Sequence, residues 1–154
     1  MGRFVMIMLL ASTLFLTTET AIPSNGDGVL AGGATPQAQA NCALSMLSSA
    51  EEVDFRPYLR DVYAVVKKRW LANARPSLEK GEKGIDVVEF RIQKDGNVPK
   101  DLLTIKVGSG KSDLDAASLE AVREAAPFSK LPDKFAQAYI ELRFTFYYNL
   151  QPNR

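Results

Sequence analysis

The chain has 154 residues, 46% of them hydrophobic and 24% charged, a length and balance that hold one globular domain with a further segment at one end and leave no room for a second. A formal net charge of +1 supplies no overall field for nucleic acid or an anionic membrane, and the absence of His removes the usual general base near neutral pH and the commonest metal ligand. The single cysteine, Cys42, cannot close an internal disulfide and reads as an incidental thiol.

The opening MGRFVMIMLLASTLFLTT places Arg3 ahead of an almost unbroken apolar run from Phe4 to Leu16, the charged-then-hydrophobic order of an export signal. A helix spanning a ~30 Å hydrocarbon layer needs roughly 20 apolar residues, and this run is shorter. Residues 1–21 are therefore expected to act as a signal peptide, with a short signal anchor as the other option. From Ile22 to Ala40, small and polar residues dominate without helix or strand period, so residues 22–52 read as a flexible linker. Within it, Cys42 to Val53 regains Leu44, Met46 and Leu47, whose docking on a domain is left open.

The folded domain is expected over residues 53–150. In DFRPYLRDVYAVVKKRWLANARP, residues Phe55, Leu59, Val62, Val66 and Trp70 recur at spacings of three and four, which predicts a helix of four to five turns. Asp54 is its expected N-cap, Pro57 fits the first turn, and Pro76 is expected to stop it. The cations Arg60, Lys67, Lys68, Arg69 and Arg75 read as a solvated helix face rather than a nucleic-acid or lipid patch. SLEKGEKG, residues 77–84, reads as a polar loop.

Two β-rich runs follow, IDVVEFRIQ and LLTIKVG, separated by a turn at Asp95-Gly96 where Gly supplies positive φ. Val88, Phe90 and Ile92 share one face of the first run, and Leu103, Ile105 and Val107 share one face of the second. A second helix is predicted in SDLDAASLEAVREAAP, with Ser112 as N-cap, Asp115 completing a capping box, and Pro127 at its end. Leu114, Ala117, Ala121, Val122 and Ala125 give it a small-residue face. The last run, YIELRFTFYY, alternates Ile140, Leu142, Phe144, Phe146 and Tyr148 with Tyr139, Glu141, Arg143, Thr145 and Tyr147, one face apolar and the other mixed.

The order helix, strand, strand, helix, strand gives an α+β fold in which two helices cover one face of a three-stranded antiparallel sheet of order 2-1-3. The last strand then lies on an edge, unpaired on its outer side, where another chain can add. No Ser-His, Cys-His or metal-ligand constellation exists in a chain without His. Asp113 and Asp115, or Glu79, Glu82 and Asp86, can be imagined as an acid/base pair, and capping and loop solvation explain them without catalysis.

The run of DFRPYLRDVYAVVKKRW, VVEFRIQKDGNV, LDAASLEAVREAAPFSKLP and IELRFTFYYN closely resembles the C-terminal domain of the TonB/TolA family, with the helix ending in Trp nearer to the TolA-like branch. The resemblance covers about Val53 to Asn149. It implies no enzyme activity and no cofactor or metal. It also implies a periplasmic location, soluble or anchored in the inner membrane through the apolar run, and a link to outer-membrane receptors or other envelope proteins in energy-coupled transport. A receptor segment would add as a strand beside Tyr139, Ile140, Glu141, Leu142, Arg143, Phe144, Thr145, Phe146, Tyr147 and Tyr148. Inner-membrane motor proteins are further implied partners of an anchored form, and self-pairing of the edge in a homodimer is the competing use of that strand. A secreted inhibitor or ligand-binding module on a helix-over-sheet frame is the alternative from a different class.

Overall fold

The computed structural model describes residues 38–152. The expected export signal and most of the expected linker lie outside the described residues. The elements run β1 (Ala40–Met46), α1 (Arg56–Glu79), β2 (Gly84–Gln93), β3 (Leu103–Val107), α2 (Ser112–Ala125) and β4 (Tyr139–Tyr148). The strands form one antiparallel sheet in the order β1-β4-β2-β3. The expected α+β class and the 2-1-3 arrangement are present in β3-β2-β4, and a fourth strand, β1, is added beyond β4.

Helix α1 buries Val62, Val66, Trp70, Ala74 and Leu78, the expected stripe carried about two turns further. Two expectations about its ends are corrected. Asp54 does not sit at the N-cap, which is Phe55. Its carboxylate instead accepts the backbone N–H of Arg56 at 3.0 Å and pairs with that residue's guanidinium. Pro76 does not stop the helix, which runs on to Glu79 and takes in the first residues of the expected loop. A proline in the last turn removes one N–H, while its own carbonyl still accepts from Lys80 at 3.2 Å, and burying Leu78 favours the extra turn.

Helix α2 buries the expected Leu114, Ala117, Ala121, Val122 and Ala125 together with Ser118. Its expected capping box is absent: Lys111 is the N-cap, with no side-chain cap bond. Asp115 turns instead to Ser109, accepting its N–H at 2.8 Å and its Oγ–H at 2.6 Å, so the preceding loop is tied to the first turn.

Gly96 sits at φ +91° in the turn after β2, as expected, and has a second reason to be glycine. A Cβ there would meet the Phe128 carbonyl oxygen at 2.0 Å, because Phe128 N–H donates to Gly96 O at 2.9 Å. The ladder between β2 and β3 begins only at Phe90 opposite Leu103 and shifts register between Val87 and Val88. That irregularity turns Val107 outward, 53% exposed, so it does not share the core face of Leu103 as expected.

The core lies between the helices and the sheet. Phe90 stacks near Phe144 at 6.3 Å between ring centroids, Phe144 lies 5.2 Å from Phe146, and Trp70 packs on Phe146 at 5.1 Å. Ile105, expected on the core face of β3 with Leu103, is only half-buried at the core margin.

Candidate functional site

Strand β4 is the element to which the sequence assigns partner binding, and its alternation is as expected. Ile140, Leu142, Phe144, Phe146 and Tyr148 are wholly buried, so they meet a partner only through their backbone. Tyr139, Glu141, Arg143, Thr145 and Tyr147 lie on the other face, exposed or half-buried. One edge of β4 pairs with β2 from Gln93 opposite Tyr139 to Gly84 opposite Tyr148.

The expectation of a vacant outer edge is corrected. Residues 40–46, inside the expected flexible linker, pair antiparallel with β4 from Ala40 opposite Tyr148 to Met46 opposite Leu142. The pairing is extended at both ends. Leu47 N–H donates to Glu141 O at 2.8 Å and Glu141 N–H to Ser48 Oγ at 2.7 Å, while Asn149 N–H donates to Gln39 O at 2.7 Å. Hydrogen-bonded pairs alternate along an antiparallel ladder, so these anchors turn the N–H groups of Arg143, Thr145 and Tyr147 toward β1. Those of Leu142, Phe144 and Phe146 face β2. The physical reason for β1 is a period-two pattern, Ala40, Cys42, Leu44 and Met46, whose side chains pack against the core margin. That alternation was present in the sequence, masked by its small residues and by the Gly- and Ala-rich run before it.

Cys42 is thus a half-buried strand residue rather than an incidental thiol in a linker, and burial pushes its pKa up. Tyr63 Oη–H donates to the Cys42 carbonyl at 3.4 Å, and the Tyr63 ring stacks 6.1 Å from Phe144, so α1 touches β1 and β4 at one point. Beyond Tyr63, a surface hollow of about 570 Å³ along α1 is lined by Lys67, Lys68, Leu71 and Arg75.

The charges on the outer face of β4 are engaged within the sheet. Arg143 donates to Glu89 at 2.9 and 2.6 Å, Lys106 reaches the same carboxylate at 3.4 Å, and Arg91 lies 3.7 Å from Glu141 and 4.6 Å above the Tyr139 ring. The Arg143 hydrogen bonds hold the Glu89 carboxyl below its ordinary range.

Asp86, placed by sequence among solvated loop carboxylates, is instead fully buried on β2 opposite Phe146. Ser118 Oγ lies 2.8 Å from Asp86 Oδ2 and 2.6 Å from Tyr148 Oη, which in turn lies 2.8 Å from the Leu114 carbonyl. Trp70 Nε1–H donates to Tyr148 Oη at 2.7 Å. Three short oxygen–oxygen contacts need three hydrogens, and Ser118 and Tyr148 supply only one each. A protonated Asp86 supplies the third. Burial pushes its pKa to about 7, consistent with that count, and leaves Oδ1 without a partner. This chain is closed to solvent, so it joins α1, α2, β2 and β4 and offers no reacting group to a substrate. Of the other carboxylates named in the sequence, Asp115 serves the Ser109 loop, and its charge adds to the rise of the Asp86 pKa. Among the described residues, no group of three or more His, Cys, Asp or Glu is arranged to hold a metal ion, and no helix is long and apolar enough to cross a membrane.

The family model described as TonB C terminal matches residues 55–146 of this chain. No curated protein and no solved structure matches it.

Proposed function

The chain belongs to the TonB C-terminal family, and from that premise we propose that its domain is a non-enzymatic docking module of the Gram-negative periplasm. Its partner is an extended segment of an outer-membrane receptor or another envelope protein, which adds as a strand along β4 in energy-coupled transport. The observation that carries this reading is that the outer edge of β4 already takes a strand that lies outside the matched residues: β1 ends at Met46 and the match begins at residue 55. The receptive element therefore does not depend on its own hairpin partners to fill that edge. Main-chain hydrogen bonds would supply affinity, and the side chains of Tyr139, Glu141, Arg143 and Tyr147 would flank the added strand and supply selectivity. Residues 1–21 would export the chain or hold it at the inner membrane, and in the second case motor proteins of that membrane join the partners.

A photo-crosslinking residue at Arg143 in the full chain, expressed in a Gram-negative cell, tests this. Cross-links to outer-membrane or envelope proteins that disappear with Thr145→Pro are expected, because the proline deletes a donor on the outer edge. Cross-links only to a soluble secreted protease would favour an inhibitor and contradict the docking reading.

A further inference from the structure

β1 and the partner compete for one edge. Three observations mark β1 as the replaceable occupant. None of its residues is buried, whereas every second residue of β4 is. The fully buried core is supplied by the other elements, with Leu44, Met46, Cys42 and Ala40 only packed at its margin. The family match, residues 55–146, holds α1, β2, β3, α2 and β4 through Phe146 and omits β1.

We propose that β1 is a built-in ligand of the β4 edge, and that a partner segment with small and aliphatic side chains at alternate positions binds there by displacing it. This rests on the docking reading above and adds how the site is closed and what opens it. β1 itself specifies the side chains that fit: small ones opposite Tyr148 and Phe146, where Ala40 and Cys42 lie, and longer aliphatic ones opposite Phe144 and Leu142, where Leu44 and Met46 lie. Positions facing solvent, held by Ala43 and Ser45, place no demand on packing. Residues 47–55 alone join β1 to α1, so β1 faces the edge at an effective concentration on the order of millimolar. A free segment of equal intrinsic affinity, present at micromolar levels, loses that competition by roughly a hundredfold or more. The tether thus keeps the edge shut against weak or incidental strands and leaves it open to a segment that binds more tightly or arrives at high local concentration.

The test uses the full chain and a fluorescent peptide spanning residues 39–48 with Cys42→Ser. Ala43→Pro removes the N–H that β1 directs at Thr145 O while sparing the side chains at the core margin. It is expected to bind the peptide at least about tenfold more tightly than the unaltered chain. A triple variant, Cys42→Ser with Ala43→Cys and Thr145→Cys, ties β1 to β4 by a disulfide. It should bind no peptide when oxidised and recover the level of the unaltered chain when reduced. Equal binding by the oxidised variant and by Ala43→Pro would put the peptide elsewhere, the outer edge of β1 included, and overturn the proposal. So would equal affinity of Ala43→Pro and the unaltered chain, absence of binding to Ala43→Pro, or loss of the fold on that substitution, seen as a shift in Trp70 fluorescence. In the unaltered chain, the Cys42 thiol should react with a thiol reagent at a rate that does not change with a core-destabilising substitution. A rate that follows global stability would overturn the proposal as well. Failure here leaves envelope docking standing on another surface, and failure of the cross-linking experiment leaves the closure of β4 by β1 standing.

Discussion

The two strands that flank β4 are unequal neighbours. β2 meets it along ten residue pairs and sends Val88, Phe90 and Ile92 into the core, each all but fully buried, with Asp86 beneath them. β1 meets it along seven pairs and buries no side chain completely. Both ladders use the same backbone chemistry, and a single hydrogen bond contributes only ~0.5–1.5 kcal/mol net. The difference in hold therefore comes from the side chains behind each ladder, and it leaves β4 anchored in the core along one edge and lightly covered along the other.

The largest effect is expected where the comparison is sharpest. Phe144, fully buried between Phe90, Phe146 and Tyr63, should lose roughly 3–5 kcal/mol on Phe144→Ala, measured by urea denaturation of the purified chain. A change below about 1 kcal/mol would mean that β4 does not carry the core.

Next is the proton held beneath β2. The Asp86 pKa is raised from 3.8 to about 7 in the folded chain, so the fold binds a proton that the unfolded chain releases earlier. Its contribution is fully present below pH 4, falls as pH rises toward about 7 and is lost above it, at up to ~1.4 kcal/mol per pH unit. The nearby Asp115 charge adds to the same direction. Asp86→Asn should remove this decline, so that its stability relative to the unaltered chain rises from pH 4 to pH 8. Parallel curves would show that Asp86 titrates alike in the folded and unfolded chain and that its pKa is not raised by folding.

Gly96→Ala, away from both ladders, should cost roughly 1–3 kcal/mol through positive φ and the clash with the Phe128 carbonyl. The smallest effect is expected on β1. Leu44→Ala, directly opposite Phe144 but half-buried, should cost about 1 kcal/mol or less, well below the ~2–5 kcal/mol of a buried leucine. A loss equal to that of Phe144→Ala would erase the distinction between the two edges.

Most of the sheet and both helices were legible in the sequence because their patterns are long and rich in large apolar residues: five alternating positions in β4 and the three- and four-residue spacing from Phe55 to Trp70. The family resemblance read from the same segments agrees with the match over residues 55–146. β1 was not legible as a strand, since Ala40 and Cys42 carry little hydrophobic signal and only pairing with β4 gives their alternation meaning. Pro76 and Asp86 misled for a related reason. Each breaks a local rule, and the compensation, the burial of Leu78 in one case and Ser118 with its hydrogen-bonded neighbours in the other, comes from elements distant in the chain. The site was legible as a strand but read as a vacant edge, because the residues that cover it lie about a hundred positions away.

Amide exchange along β4 in native conditions tests the inequality of its two edges most directly, because one strand carries both sets of donors. The N–H groups of Arg143, Thr145 and Tyr147, which face β1, should exchange at least about tenfold faster than those of Leu142, Phe144 and Phe146, which face β2, with rates nearly insensitive to low urea. Equal protection of the two sets, rising and falling together with urea, would show that β1 opens only when the whole domain unfolds and would contradict the account.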